Sequence, residues 1–140
     1  MILVVDNYDS FTYNLVHILK ELTKGPVDVF RNDEISVEDV DKFDKILISP
    51  GPGVPEQAGI TKKMISHYGP SKSILGVCLG CQAIAEVYGG NLINLERVFH
   101  GIETKIHVID EGNILFKGIP EVFTAGRYHS WVVGEEGLPS

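Results

Sequence analysis

Hydrophobic and polar positions alternate between two patterns along the chain up to Gly90. Short apolar runs rich in β-branched residues predict buried strands over residues 2–5, 27–30, 45–49 and 73–77. Between these runs, apolar residues recur at helical spacing and predict three helices. The first begins at about Ser10 and has the apolar face Phe11, Leu15, Ile18, Leu19 and Leu22. The second has the apolar face Ile60, Met64, Ile65 and Tyr68, and the third covers residues 79–88. Glycine-containing pairs end these helices, namely Gly25–Pro26, Gly69–Pro70 and Gly89–Gly90.

Strands that alternate with helices predict right-handed βαβ units and a doubly wound, mostly parallel α/β sheet. Ser36 and Asp39 resemble a capping box that opens one further short helix. After Gly90 the pattern changes to shorter β-like pieces with turns between them, and we expect edge strands or an antiparallel addition there. These pieces are residues 97–101, 105–109 and 127–133. Because no linker or repeat interrupts the chain, we expect one domain over residues 1–140.

Composition and charge exclude several classes of function. Apolar residues make up 44% of the chain and charged residues 22%, which is typical of a globular protein. The net charge is −7 without any long basic cluster, so we expect no nucleic-acid partner and no anionic membrane surface. No apolar run approaches the length of a membrane span, and the N-terminus lacks the basic start of a signal peptide. We therefore expect a cytoplasmic protein with reduced thiols.

Both cysteines of the chain lie in "SILGVCLGCQAIAEVYGG", residues 73–90, at a predicted strand-to-helix join. The segment from Gly76 to Gly80 fits the nucleophile-elbow pattern, with Cys78 at the position of the nucleophile. Partial positive charge at the start of the helix should lower the pKa of this thiol and favour the attacking thiolate. The backbone N–H of Leu79 is placed to receive an oxyanion formed on attack at a carbonyl.

Three other interpretations of the cysteines stay open at this point. Cys78 could be a small buried core residue, which is the commonest role of cysteine. Cys78 and Cys81 also form a C-x-x-C pair at a helix start, as in proteins that exchange thiols and disulfides. A metal site would need two further ligands, and the histidines show no paired spacing. These histidines are His17, His67, His100, His107 and His129.

Other polar segments follow predicted strands at the same edge of the sheet. In "SPGPGVP", residues 49–55, prolines alternate with glycines and hold an exposed backbone whose N–H groups could bind an oxyanion or a carboxylate. The alternative is a plain turn. In "DNYDSFTYN", capping of the first helix by Asp9 and Ser10 is the simplest role. His129 lies in a β-like run, where a lone histidine is more often structural than catalytic.

Taken together, these segments resemble the class I glutamine amidotransferases, and more narrowly the glutaminase components of anthranilate synthase and aminodeoxychorismate synthase. The resemblance is carried, in order, by "DNYDSFTYNLV", "ISPGPGVPEQAG", "GVCLGCQAIAEVYGG", "VFHG" and "RYHSWVV". It implies a flavodoxin-like fold in which Cys78 attacks the side-chain amide of L-glutamine. The thioester is then hydrolysed to glutamate, and ammonia passes to a chorismate-binding synthase subunit for tryptophan or folate synthesis.

The resemblance also assigns roles to individual residues. It implies that the backbone N–H groups of Gly51 and Leu79 bind the oxyanion. Substrate-binding roles fall on Gly51, Pro52, Gly53, Gln82, Ser130 and Trp131. It implies neither a metal nor a cofactor.

The sequence departs from the family pattern at several positions. Cys81 stands where the family usually has histidine, Ile102 where it typically has lysine, and Trp131 where it has leucine. The family's catalytic base and its orienting acid form a His-x-Glu pair beyond "RYHS", and no histidine follows His129 here. We therefore expect an amidotransferase domain incomplete at its C-terminus, which binds glutamine with little glutaminase activity of its own. The alternatives are a non-catalytic domain that binds glutamine and the synthase subunit, and a C-x-x-C redox protein.

Overall fold

The computed structural model describes residues 1–110 and 112–138. The chain forms two compact units. Met1–Leu92 and Val133–Ser140 form the first, called the α/β unit below, and Ile93–Val132 form the second, called the hairpin unit.

The α/β unit contains a four-stranded parallel sheet with the strand order β2-β1-β3-β4. Its strands are β1 (Ile2–Asp6), β2 (Val27–Arg31), β3 (Lys45–Ile48) and β4 (Ser73–Gly76), and its helices are α1 (Thr12–Leu22), α2 (Thr61–Tyr68) and α3 (Leu79–Val87). Short 3-10 helices cover Glu38–Lys42 and Pro55–Gln57. The predicted α/β fold with a mostly parallel sheet is confirmed.

Side chains of the two central strands alternate between two apolar clusters, as the period of two along a β-strand requires. Leu3 and Val5 of β1 belong to the larger cluster, which includes Met64 and Ile65 of α2 and Ala83 of α3. Val4 and Leu47 belong to the smaller cluster, where they pack with Val16 of α1. Helices therefore cover both faces of the sheet, with α1 on one and α2 and α3 on the other. Within the described residues, no helix has the length and apolar content needed to cross a membrane.

The predicted buried face of α1 was wrong in part. Val16 is only 3% exposed, whereas Phe11, Ile18 and Leu22 are 53%, 50% and 78% exposed. The helix packs on the smaller cluster, so only a narrow stripe of its surface contacts the sheet. That stripe consists of Thr12, Leu15, Val16 and Leu19. The predicted face of α2 agrees with the structure, since Met64, Ile65 and Tyr68 are buried.

Both predicted capping residues, Asp9 and Ser36, lie just before the N-cap position of the helix that they support. The Ser36 hydroxyl and the Asp39 carboxylate each accept the other residue's backbone N–H, which is the reciprocal pattern of a capping box. The 3-10 helix Glu38–Lys42 follows with Val37 at its N-cap position, so Ser36 lies just before the cap. Asp9 accepts the backbone N–H of Phe11 at 2.8 Å, but Phe11 itself occupies the N-cap position of α1. Asp9 thus supports the start of the helix from outside the N-cap.

The hairpin unit is built on a two-stranded antiparallel sheet of β5 (Leu92–His107) and β6 (Val122–Val133). A short 3-10 helix, Ile114–Phe116, lies between the strands. The expectation of separate short pieces over residues 97–101 and 105–109 was wrong, because β5 contains all of the first and continues into the second as far as His107. Gly101 inside β5 has φ +69°, a conformation that glycine adopts without a steric penalty, so the strand continues there.

Candidate active site

Cys78 lies on the turn that joins β4 to α3. Its backbone angles are φ 51° and ψ −107°, and it is the N-cap residue of α3. A non-glycine residue in such a conformation costs about 1–3 kcal/mol, so the surrounding structure must hold it in place. Two backbone hydrogen bonds do so, from Val77 N–H to Ile48 O and from Gly80 N–H to Val77 O, both at 3.0 Å. This is the strained strand-to-helix turn expected of a nucleophile elbow.

The glycines that flank the elbow allow a close approach between backbone segments. A Cβ atom at Gly76 would lie 2.3 Å from the carbonyl carbon of Gly80 and 2.5 Å from the backbone nitrogen of Cys81. A Cβ atom at Gly80 would lie 2.6 Å from the carbonyl oxygen of Ile48. The first turn of α3 therefore packs directly on the ends of β3 and β4, which fixes the position of Cys78.

The pKa of the Cys78 thiol is raised, whereas the sequence predicts a lowered pKa. Burial raises the pKa of the half-buried Cys78 thiol, and the hydrogen bond to the Leu79 backbone lowers it by a smaller amount. The predicted lowering of this pKa by the helix start was therefore wrong in its net direction. Desolvation of the thiolate outweighs the favourable interaction at the helix N-terminus. In the protein without substrate, the neutral thiol is the dominant form at pH 7.

The pH dependence of alkylation checks this electrostatic balance. In a Cys81→Ser variant, the rate of Cys78 alkylation by iodoacetamide should keep rising past the pKa of an ordinary cysteine, because only the thiolate reacts. The rate should level off only in more alkaline solution, as measured by peptide mass spectrometry over a pH series. A plateau already reached at neutral pH would show a lowered pKa and contradict the raised one.

The "SPGPG" loop after β3 lies beside the elbow. A Cβ atom at Gly51 would lie 2.8 Å from Leu79 Cδ2, so Gly51 packs directly on the first residue of α3. Within the described residues, the Gly51 N–H has no protein acceptor. Gly53 has φ +73° and packs under the Gln57 side chain, whose Oε1 would lie 2.3 Å from an added Cβ. The structure thus places Gly51 against the side chain of Leu79, and the predicted oxyanion roles of their N–H groups stay predictions.

The remaining predicted site residues are divided between the two units. Gln82 follows Cys78 by about one helical turn on α3 and is 7% exposed. Pro52 lines a cavity of about 290 Å³ in the α/β unit, which Leu79 also lines. Ser130 and Trp131 lie on β6. Their predicted contacts with substrate stay predictions.

The described histidines of the α/β unit do not hydrogen-bond to the Cys78 thiol. His17 pairs with Glu21 at 3.2 Å, and the His67 ring lies edge-on to Tyr68. Acyl transfer needs a base for the thiol proton, and the described part of this unit holds no such histidine. Across residues 1–110 and 112–138, no group of three or more His, Cys, Asp and Glu residues could hold a metal ion.

His129 of the hairpin unit is held by partners of its own unit. Arg127 Nε donates to His129 Nε2 at 3.0 Å, and His129 Nδ1 lies 3.0 Å from the Trp131 carbonyl oxygen. The His129 ring also stacks on Phe99. With Nε2 accepting, the neutral ring carries its proton on Nδ1 and donates it to Trp131. This geometry agrees with a structural role for His129.

A buried polar network next to the "SPGPG" loop was missed by the sequence analysis. It consists of Asn7, Asn32, Ser49 and Thr61, all of which are buried. The sequence does carry a signal, since Asn7 is a polar residue directly after the apolar strand β1, but the role predicted for that segment was helix capping.

Comparisons with known proteins agree with this geometry. The family model "Glutamine amidotransferase class-I" matches residues 3–140. The chain is 46% identical to aminodeoxychorismate/anthranilate synthase component 2 of Bacillus subtilis over 100% of its own length and 72% of that protein. It is 45% identical to anthranilate synthase component 2 of Pseudomonas aeruginosa, covering 99% of this chain and 69% of the relative.

Other relatives are considerably longer than this chain. It spans 49% of a rice protein, anthranilate synthase beta subunit 1, to which it is 46% identical over 99% of its own length. A solved glutamine amidotransferase from Thermotoga maritima shares the fold with a TM-score of 0.75 at 14% identity, covering 95% of this chain and 61% of the other. The family predicted from the motifs is therefore confirmed, and the chain belongs to the class I glutamine amidotransferases.

Proposed function

We propose that this protein is the glutaminase component of a chorismate-using synthase. It hydrolyses L-glutamine through a thioester on Cys78 and passes ammonia to a chorismate-binding subunit, for synthesis of anthranilate or aminodeoxychorismate. The observation that carries the proposal is the strained elbow at Cys78, with the Gly51 segment packed on the side chain of Leu79, the residue that follows Cys78. The relatives named above, which are component 2 and beta subunits of these two synthases, support the reaction.

The proposed chemistry follows from the positions of these groups. Cys78 Sγ attacks the amide carbon of the glutamine side chain, a C–S bond forms, and an electron pair moves onto the amide oxygen. The N–H groups of Gly51 and Leu79 hold this oxyanion. When the intermediate collapses, the C–N bond breaks and the nitrogen takes up the proton of the thiol, so ammonia leaves. Water then hydrolyses the thioester to glutamate.

Substrate and partner roles are assigned within the same proposal. Substrate binding is assigned to Gly51, Pro52, Gly53 and Gln82 of the α/β unit, and the family resemblance assigns the same role to Ser130 and Trp131. The partner is the chorismate-binding subunit, and neither nucleic acid nor a membrane surface suits a chain of net charge −7. Both cysteines are free, as in reducing compartments such as the cytoplasm, where we place the protein.

Labelling by a glutamine-like diazoketone tests the proposal. The reagent should modify Cys78 but not the exposed Cys81, and L-glutamine should block the reaction, because only a formed pocket directs the reagent to Cys78. The adduct is mapped by peptide mass spectrometry. The matched variants are Cys78→Ser, which should not be labelled, and Cys81→Ser, which should be labelled like the unmodified sequence.

Two results of this experiment would contradict the proposal. Labelling that L-glutamine does not block would mean that Cys78 is a reactive thiol without a glutamine pocket. Equal labelling of both cysteines, together with a disulfide between them that forms and opens reversibly, would favour the C-x-x-C redox interpretation instead.

A second candidate is a domain that binds glutamine and the synthase subunit without turnover. Two observations favour it: no histidine in the described part of the α/β unit hydrogen-bonds the Cys78 thiol, and burial raises the pKa of that thiol. Ammonia release from glutamine in the presence of the partner separates the candidates. Release supports the first, and glutamine-protected labelling without release supports the second.

A further inference from the structure

We propose that Asn7 is a positioning residue that fixes the "SPGPG" loop in the geometry needed for the oxyanion site. The inference rests on the proposed function and adds to it a residue outside the predicted site. Asn7 follows β1 directly, is 2% exposed, and lies where β1, β2, β3 and α2 meet.

Asn7 binds the start of the loop through two hydrogen bonds. Its backbone N–H donates to Ser49 Oγ at 2.9 Å, and its side-chain Nδ2 donates to the Ser49 carbonyl oxygen at 3.0 Å. Ser49 is fully buried, and its own N–H donates to Val5 O, which continues the β1–β3 pairing by one residue. The orientation of the peptide unit between Ser49 and Pro50 is therefore set by the Asn7 amide.

The other end of the Asn7 amide is held equally firmly. Asn7 Oδ1 accepts hydrogen bonds from Asn32 Nδ2 at 2.9 Å and from Thr61 Oγ1 at 3.2 Å. Asn32 follows β2, and Thr61 begins α2. Since both lone pairs of Oδ1 are occupied by donors, the amide cannot flip without leaving buried hydrogen-bonding groups unpaired.

Contacts connect Asn7 to Gly51, and Gly51 to the side chain of Leu79. A Cβ atom at Gly51 would lie 2.6 Å from Asn7 Cβ and from the Asn7 carbonyl oxygen, and 2.8 Å from Leu79 Cδ2. Gly51 is therefore clamped between Asn7 on one side and the first residue of α3 on the other. A displacement of Asn7 or of the Ser49 carbonyl would move the Gly51 N–H relative to Cys78. A misplacement of about 1 Å in such a site can cost on the order of 100-fold in rate.

The substitution Asn7→Asp tests this role with almost no change in side-chain volume. Oδ1 of the new carboxylate can still accept from Asn32 and Thr61, but its second oxygen would face the Ser49 carbonyl oxygen, and two acceptors repel each other. We expect the loop to shift and diazoketone labelling of Cys78 to slow on the order of 100-fold at neutral pH. Iodoacetamide needs no oxyanion site, so its rate of labelling of the same thiol should stay within about twofold of the rate in the unmodified sequence.

The labelling of Asn7→Asp at acid pH distinguishes a positioning role of Asn7 from a merely structural one. A protonated carboxyl at position 7 can donate to the Ser49 carbonyl oxygen, as the amide does, and acid pH populates that form, which burial and the facing carbonyl oxygen favour. At each pH, the ratio of diazoketone to iodoacetamide labelling of the variant is divided by the same ratio for the unmodified sequence. This normalised ratio should therefore rise back towards the value of the unmodified sequence as the pH falls. Both reagents need the thiolate, so its loss in acid cancels in the ratio.

Two further variants keep the test independent of folding. Thr61→Val removes one donor to Asn7 Oδ1 without adding charge, and the labelling ratio should fall only a few-fold. Thr12→Val is the matched control, because Thr12 is equally buried and donates to Asp6 Oδ1 at 2.7 Å, but makes no hydrogen bond to the loop. Its labelling ratio should equal that of the unmodified sequence.

The possible failures are distinguishable. If the unmodified sequence shows no glutamine-protected labelling, the proposed function itself fails. If it does, and Asn7→Asp is labelled as fast, Asn7 does not position the oxyanion site. A parallel change in both reagents, or a ratio that stays low at acid pH, would indicate unfolding or general damage and would also overturn the positioning role.

Discussion

Replacement of Cys78 by serine is expected to abolish glutamine-dependent amination of chorismate by the complex with the proposed partner, while amination with free ammonia persists. A serine hydroxyl ionises far less readily than a thiol, and no histidine in the described part of the α/β unit hydrogen-bonds this position. Loss of a nucleophile of this kind typically costs at least about 1,000-fold in rate. The measurement compares formation of the aminated product with glutamine and with ammonium salt as the nitrogen source.

The control for this prediction is Cys81→Ser, which removes the other thiol of the same helix turn. Its glutamine-dependent rate should match that of the unmodified sequence. Glutamine-dependent amination that survives in Cys78→Ser would disprove the proposed role of Cys78. A complex that uses ammonia but not glutamine even with Cys78 intact would instead establish the second candidate, a domain that binds without turnover.

The sheet and the elbow could be predicted because the local sequence determines them. Apolar β-branched runs, helical spacing and the glycines around Cys78 all point to the same strand-to-helix turn, and the structure contains it. The burial pattern of α1 could not be read in the same way. Phe11, Ile18 and Leu22 fit a helical face, but which stripe is buried depends on the width of the sheet face that α1 covers.

The electrostatic state of Cys78 and the role of Asn7 depend on tertiary packing. The sequence shows that Cys78 starts a helix, which favours the thiolate, but it does not show how much of the thiol is buried, and burial has the larger effect. Asn7, Ser49 and Thr61 are far apart in the chain and meet only because β1, β3 and α2 converge. A network of this kind leaves no periodic pattern in the sequence.

The second large effect is expected from Gly76→Ala. The added methyl group would lie 2.3 Å from the carbonyl carbon of Gly80 and 2.5 Å from the backbone nitrogen of Cys81. Backbone atoms cannot rotate away as the end of a flexible side chain can, so α3 must move off the end of β4. We expect a loss of roughly 3 kcal/mol in the free energy of unfolding, at the upper end for overpacked positions. Thermal denaturation should show a melting temperature lower by roughly 10 °C.

Gly25→Ala provides the matched control, since the same methyl group added there meets no atom within 4 Å. Alanine has fewer conformations than glycine in the unfolded chain, so the free energy of unfolding should stay unchanged or rise by about 0.5 kcal/mol. If Gly76→Ala is as stable as Gly25→Ala, the close packing of α3 on β4 is not needed for the fold. Because that packing also holds the Cys78 turn, a destabilised Gly76→Ala should lose diazoketone labelling while Gly25→Ala keeps it. Stability and reactivity would then depend on the same contact between two backbone segments.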